Sequence, residues 1–432
     1  MHARILRGII STAILLLLVI GCSSQKPNQT PVSNDLPAVT GGEKQDAGDI
    51  TRGLMLDYDR HTYSIASSTT FSANGTDDYD SCLNDCIAAT YYYDGTYRYN
   101  YVLQCDTKNK IEDFSTSVVG CIYQVSTANV PSITNRATVP DAYIFDPDAC
   151  ELAVVGSYLY AWIADDATNN IELYRWTITA STGALSSETH IKTFTSVGGI
   201  QGLAVTVTTD NTHYHLFACN ISDKYVYVYD HDNIGSAYLQ RLTGDEDGDI
   251  PIDACVTRYD GSTNYWDLYV AFRDASDRTS DYLECYHFDG TNYNTKSRCD
   301  DGDGTPETYD NFPYVIGLDV QKSGIESGDP GGVAIQHNSG CVAVFMVDTD
   351  FIGYHVRQVN FGGTSSDYYK FSEDFDQEIN PAGIYPSAFG VCQMYYPAGG
   401  GNSYKGYQYI FGDRNFDLTN VNNISVWNND DS

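Results

Sequence analysis

From residue 50 onward, short runs rich in Tyr, Val and Ile alternate with polar segments rich in Asp, Asn, Gly and Thr. No stretch sustains the 3.6-residue apolar period of an amphipathic helix. Apolar runs of strand length, broken by turn residues roughly every 8–12 positions, predict an all-β chain of many short strands. One run recurs behind a polar, often acidic approach: CIAATYYY (86–93), CELAVVGS (150–157), GLAVTVTT (202–209), CVTRYDGS (255–262), VIGLDVQK (315–322) and AFGVCQMY (388–395), spaced by 64, 52, 53, 60 and 73 residues. A second run follows each (YNYVLQCD, LYAWIADD, YHLFACNI, LYVAFRDA, GVAIQHNS, YQYIFGDR), then a third (VGCIYQVS, IELYRWTI, YVYVYDHD, LECYHFDG, VAVFMVDT, ISVWNNDD). A weaker fourth leads to the next unit.

Four antiparallel strands per unit, six times over, resemble a β-propeller. A β-helix has shorter repeats, and a single sandwich does not need so many strands. The predicted fold is therefore an all-β, six-bladed propeller over residues 50–432. The last unit ends after its third strand, so its fourth is expected from the other end of the chain, within GLMLDYDRHTYSIAS (53–67). That splice would remove an open sheet edge. Tyr93-Asp94-Gly95-Thr96 and Tyr259-Asp260-Gly261-Ser262 are hairpin signals, because Asp-Gly suits turns that need positive φ. The runs loosely resemble YVTN-type repeats. They lack the WD dipeptide pattern of WD40 blades and the Ser-x-Asp-x-Gly-x-Thr-Trp box of sialidases.

Composition agrees with a strand-and-turn protein. Of 57 acidic residues only 11 are Glu, and the 432-residue chain carries 36 Tyr and 37 Gly but 4 Met. Asp favours turns and caps where Glu favours helices. The net charge of −33 argues against nucleic acid as a partner, since phosphate recognition needs a basic face.

The amino end reads as an address. Arg4 and Arg7 precede an apolar run from Ile9 to Ile20 broken only by Ser11 and Thr12. That run is too short for the roughly 20 residues of a bilayer-spanning helix and suits a secretory signal. It ends Val19-Ile20-Gly21-Cys22, which resembles a bacterial lipobox. Val19 and Ile20 depart from the commonest Leu-Ala/Ser. The resemblance implies a signal peptide over 1–21, a lipid on Cys22, and anchoring in the cell envelope at the outer membrane, because Ser rather than Asp follows the Cys. Residues 22–49, rich in Pro, Ser, Asn and Gly, then form a disordered tether reaching about 30 Å. Eleven cysteines remain beyond Cys22 (Cys82, Cys86, Cys105, Cys121, Cys150, Cys219, Cys255, Cys285, Cys299, Cys341 and Cys392). In an exported chain they predict disulfides with at least one thiol left over. Cys82-x3-Cys86 alone is a weak metal signal.

Candidate chemistry lies in the loops between units: PDAYIFDPDAC (140–150), TGDEDGDIPIDAC (243–255), CDDGDGTPETYD (299–310) and SEDFDQEINPAG (372–383). In a propeller these loops share one face and run inward to the axis. Two of them resemble calcium loops: Asp245, Asp247 and Asp249 around Gly248, with Asp253; and Asp301 and Asp303 around Gly302, with Glu307. Alternate carboxylates about a permissive Gly can wrap the six to eight oxygens that Ca²⁺ needs. Neither loop matches the EF-hand. His213 and His215 could form a metal pair, though a solvated strand face accounts for them more simply. Trp162, Trp176, Trp266 and Trp427 fall in or beside strands and read as core. No GxSxG, HExxH or phosphate-loop motif occurs. Two functions fit: a non-catalytic, envelope-anchored binding or scaffolding propeller with a protein or glycan ligand and an acidic, calcium-binding face, or a calcium-dependent propeller hydrolase of the lactonase sort.

Overall fold

The computed structural model describes residues 59–64, 86–94, 96–105, 118–126, 133–140, 142–195, 198–206, 215–230, 238–244, 248–258, 266–274, 281–288, 291–299, 315–320, 341–347, 354–361, 371–379, 386–395, 404–413 and 423–430. Cys22, Asp245, Asp247, Asp301, Asp303, Glu307 and the second Asp-Gly turn lie outside them. Residues 47–432 form one compact unit.

After β1 (Asp59–Ser64), the strands form antiparallel sheets of four in chain order. One sheet holds β2 (Cys86–Tyr93), β3 (Arg98–Cys105), β4 (Val118–Val125) and β5 (Ile133–Pro140). The next holds β6 (Pro147–Val155), β7 (Tyr158–Asp165), β8 (Asn170–Thr179) and β9 (Ala184–Thr195). Then come β10 (Ile200–Val205), β11 (His215–Asn220), β12 (Tyr225–Asp230) and β13 (Gln240–Leu242), followed by β14 (Ile250–Arg258), β15 (Trp266–Arg273), β16 (Tyr282–Phe288) and β17 (Tyr293–Arg298). A further sheet holds β18 (Val315–Val320), β19 (Cys341–Val347), β20 (Tyr354–Phe361) and β21 (Phe371–Ile379). In the last sheet β22 (Pro386–Tyr395), β23 (Tyr404–Asp413) and β24 (Asn423–Asp430) are joined by β1, paired from Asp59 with Asn428 to Ser64 with Asn423.

The first strands lie side by side: β2 on β6, β6 on β10, β10 on β14, β14 on β18, β18 on β22, and β22 on β2. Core clusters fill the spaces between facing sheets. Tyr101, Leu103 and Trp176 join the first two; Trp162, Leu216 and Tyr227 join the second and third; Phe217, Phe272 and Tyr282 join the third and fourth; Tyr269, Leu283 and Val344 join the fourth and fifth. Sheets packed face to face through large apolar side chains, with inner strands gathered together, are the blades of an all-β propeller. Middle strands such as β7 are buried on both faces, whereas the outermost β9 (ALSSETHIKTFT) is largely exposed and polar, as an edge demands.

The fifth sheet corrects the sequence assignment. VAVFMVDT, expected as a third strand, is its second, and YHVRQVNF is the third. The apolar signature of β20 is interrupted by His355, Arg357, Gln358 and Asn360, which hid it. GVAIQHNS lies outside the described residues. The Asp94 turn spans four residues, Tyr93 pairing with Arg98, with Asp94 Oδ1 accepting from the N–H of Thr96 (2.9 Å) and Tyr97 (2.8 Å).

Candidate functional site

The segments preceding the recurrent runs are not all loop. Strand β6 begins at Pro147 and β14 at Ile250, so Asp253 belongs to a strand. The reason is a bulge near the start of five first strands: Pro147/Ala149, Ile200/Gly202, Pro251/Asp253, Val315/Gly317 and Pro386/Ala388. A bulge re-aims the residues beside it. The residue just past it is Ala149, Gly202, Gly317 or Ala388 in four strands, and Asp253 in one. A Cβ on Gly202 would lie 2.5 Å from Asp253 Oδ1, and one on Gly317 would lie 3.4 Å from Asp253 Oδ2. The carboxylate thus fills space that its neighbours leave by having no side chain.

Asp253 accepts from Leu318 N of the next blade (2.8 Å) and from Ala254 N (2.9 Å). Asp319, on β18, accepts from Val391 N of the blade after that (2.7 Å), and Glu151, on β6, from Leu152 N (2.7 Å). Burial pushes the Asp253 carboxyl well above its ordinary range; the two N–H donors oppose this, and the charges of Glu151 and Asp319 add to it. The charges that act on Asp253 thus come from β6, which is separated from β14 by β10, and from the adjoining β18. Glu151, Asp253 and Asp319 are each held by a backbone N–H, and the bonds of Asp253 and Asp319 tie one blade to the next.

Asp249 goes elsewhere. It is buried and accepts a hydrogen bond from Tyr282 Oη. At the other end of the same segment, Lys296 Nζ donates to Thr243 O (3.0 Å). Asp249 and Asp253 thus have separate partners.

His215 is not on a solvated face. Its Nδ1 lies 2.9 Å from Tyr293 Oη, and Phe217 and Phe288 flank it edge-on. Burial pushes its pKa down, the Asp230 charge opposing this. His213 lies outside the described residues. Cys86, Cys105, Cys121, Cys150, Cys219, Cys255, Cys285 and Cys299 are buried thiols, so the disulfides expected from the cysteine count join none of these eight to one another. Trp162 and Trp176 are core.

Several buried acids escaped the sequence analysis, among them Asp165, Glu172, Asp267, Asp281 and Glu284. Asp281 accepts from Val315 N (2.8 Å) and lies 3.4 Å from Arg273 Nη2, joining the fourth blade to the fifth. Burial raises its pKa to about 6, outweighing Arg273 and Val315 N, which pull it down. A folded pKa above the unfolded 3.8 means that the folded state binds more protons between those values. The contribution to stability is then complete below pH 3.8 and is lost as pH rises through 6. Asp281→Asn is expected to gain up to about 3 kcal/mol relative to the parent between pH 4 and pH 7. Denaturant titrations of both proteins at the two pH values check this; a constant difference would refute it.

No family model matches the chain, and no curated protein matches it. Among solved structures, the α-L-arabinofuranosidase Arb93A from Fusarium graminearum is 9% identical, covering 82% of this chain and 95% of that one at a TM-score of 0.49. The Penicillium chrysogenum α-L-arabinanase is 10% identical (85% and 98%, TM-score 0.47). The periplasmic gluconolactonase PpgL of Pseudomonas aeruginosa is 11% identical (77% and 83%, TM-score 0.36). At these values none of them carries an argument about activity.

Proposed function

We propose that this chain is an envelope-anchored, non-catalytic binding propeller, lipidated on Cys22 and held off the outer membrane by the 22–49 tether. Its six blades close on β1, and its acidic axial face takes up a divalent cation, calcium foremost, with a protein or glycan as ligand. The observation that carries the reading is that the charges of Glu151 and Asp319, on two other inner strands, act on the buried Asp253. The order in which the first strands touch, ending with β22 on β2, supports a closed ring, and the acidic interblade loops would extend the charge over the same face. The same three groups support a second reading, a calcium-dependent hydrolase of the lactonase sort, in which Asp253 would keep a proton for transfer.

A cation held among like charges removes their mutual repulsion and stabilises the fold by about 2.7 kcal/mol at a hundredfold excess over Kd. Millimolar calcium is expected to raise the melting temperature by a few degrees, and a chelator to reverse it. The double change Glu151→Gln with Asp319→Asn is expected to abolish the response. Asp247→Asn and Asp301→Asn are expected to weaken it. An equal rise with sodium at matched ionic strength would show screening alone and defeat the proposal. Calcium-dependent turnover of a lactone panel would favour the hydrolase.

A further inference from the structure

The buried thiols offer a separate chemistry. Cys86 begins β2 and pairs directly with Cys105, the last residue of β3. Cys150 lies on β6 of the adjoining blade, which packs on β2. The three Sγ atoms lie within 4.8 Å of one another. Among the described residues no other three His, Cys, Asp or Glu side chains bring ligand atoms together in this way. The surroundings are apolar, with Leu103, Val119, Val139, Ile144 and Leu152 in the same cluster. Gly120 faces Cys105 across the β3–β4 pair, and a Cβ there would lie 3.0 Å from Cys105 Sγ and 2.9 Å from Gln104 O. Glycine at 120 leaves that sulfur its place.

Thiols that serve only as small apolar filler have no reason to converge in threes from two blades. An ion bound at about 2.3 Å from each sulfur sits within a triangle of side about 4.0 Å, which the observed spacing accommodates. A disulfide would draw two sulfurs to about 2.05 Å and leave the third without a role. Hard cations are poorly served by sulfur, whereas soft thiolates select Zn(II) and Cu(I).

We propose that Cys86, Cys105 and Cys150 form a trigonal thiolate site for one thiophilic d10 cation, Zn(II) or Cu(I), stapling the first blade to the second. Each metal–sulfur bond formed replaces an S–H bond and releases its proton to solvent, with no electron transferred. The ligands meet only when both blades are folded, so the binding free energy adds to the stability of that junction.

The test uses the full chain, reduced and kept anaerobic, given zinc chloride or Cu(I) as its acetonitrile complex, then desalted and assayed for metal. About one ion per chain is expected for one of the two metals, with proton release and a higher melting temperature. Cys150→Ser is expected to cut retention by at least about tenfold, while Cys121→Ser, buried in the same blade but outside the cluster, leaves it unchanged. If Cys150→Ser does not fold, Cys86→Ser replaces it, and the parent stoichiometry decides alone. Retention of neither metal by the parent overturns the proposal. So does retention unaffected by the cluster variants. A disulfide between any two of the three cysteines, found by non-reducing peptide mapping of thiol-trapped protein from cells, overturns it as well.

Discussion

Gly202→Ala is expected to destabilise the domain by about 1–3 kcal/mol, while Gly317→Ala at the corresponding bulge position is nearly neutral. The two glycines flank the same carboxylate from opposite sides. The Cβ at 202 would lie 2.6 Å from the Asp253 Cα and 2.8 Å from the Ile252 carbonyl oxygen. Both are backbone atoms in a paired strand and cannot swing aside. At 317 the nearest atoms, Asp253 Oδ2 and Phe389 Cβ, are each 3.4 Å away, an ordinary contact. The alanine at 202 forces β14 away from β10 and carries Asp253 with it, so its bond to Leu318 N is disturbed as well as the packing. Melting temperatures of the two variants check this, with a drop of up to roughly 6 °C expected for the first. Equal losses would mean that the inner strands adjust freely and that Asp253 is not held as described.

Deleting residues 50–70 is expected to cost about 3–9 kcal/mol, the worth of a six-residue antiparallel ladder at 0.5–1.5 kcal/mol per hydrogen bond. The ladder lost is that of Asp59–Ser64 on Asn423–Asn428. The exposed edge of β24 would then invite association between chains, so light scattering on warming is a second readout. Deleting residues 23–45, in the proposed tether, is expected to leave the melting temperature unchanged. Equal melting temperatures for the two truncations would sink the idea that the amino-terminal strand completes the last blade.

Most of the strands were legible because apolar runs of strand length announce themselves. LYAWIADD and IELYRWTI are middle strands buried on both faces, so nearly every position is apolar and the repeat is plain. The pairing of β1 with β24 could be anticipated by counting strands, since the last unit lacked one. In YHVRQVNF polar residues interrupt the apolar run, so the sequence does not announce it as a strand of the fifth unit. The acidic segments were visible as composition. Their division was not: IPIDAC looks like the tail of a loop, yet it is strand with a bulge at Pro251/Asp253, and Asp253 bonds Leu318 N of the next blade, while Asp249 four positions earlier goes to Tyr282.

What the sequence by itself determined is therefore what depends on neighbours along the chain: the strand class, the four-strand repeat, and the clustering of charge between units. What only the tertiary structure decided is what depends on neighbours from other blades. Glu151, Asp253 and Asp319 are separated by 102 and 66 residues, and Cys105 and Cys150 by 45, spacings that match no local period. They meet because the inner strands of different blades are brought side by side, and side-chain direction there is set by bulges and by the room that Gly202, Gly317 and Gly120 leave. Hydrophobic patterning says which residues are buried; which buried groups touch is settled by packing between sheets, and local sequence does not carry that information.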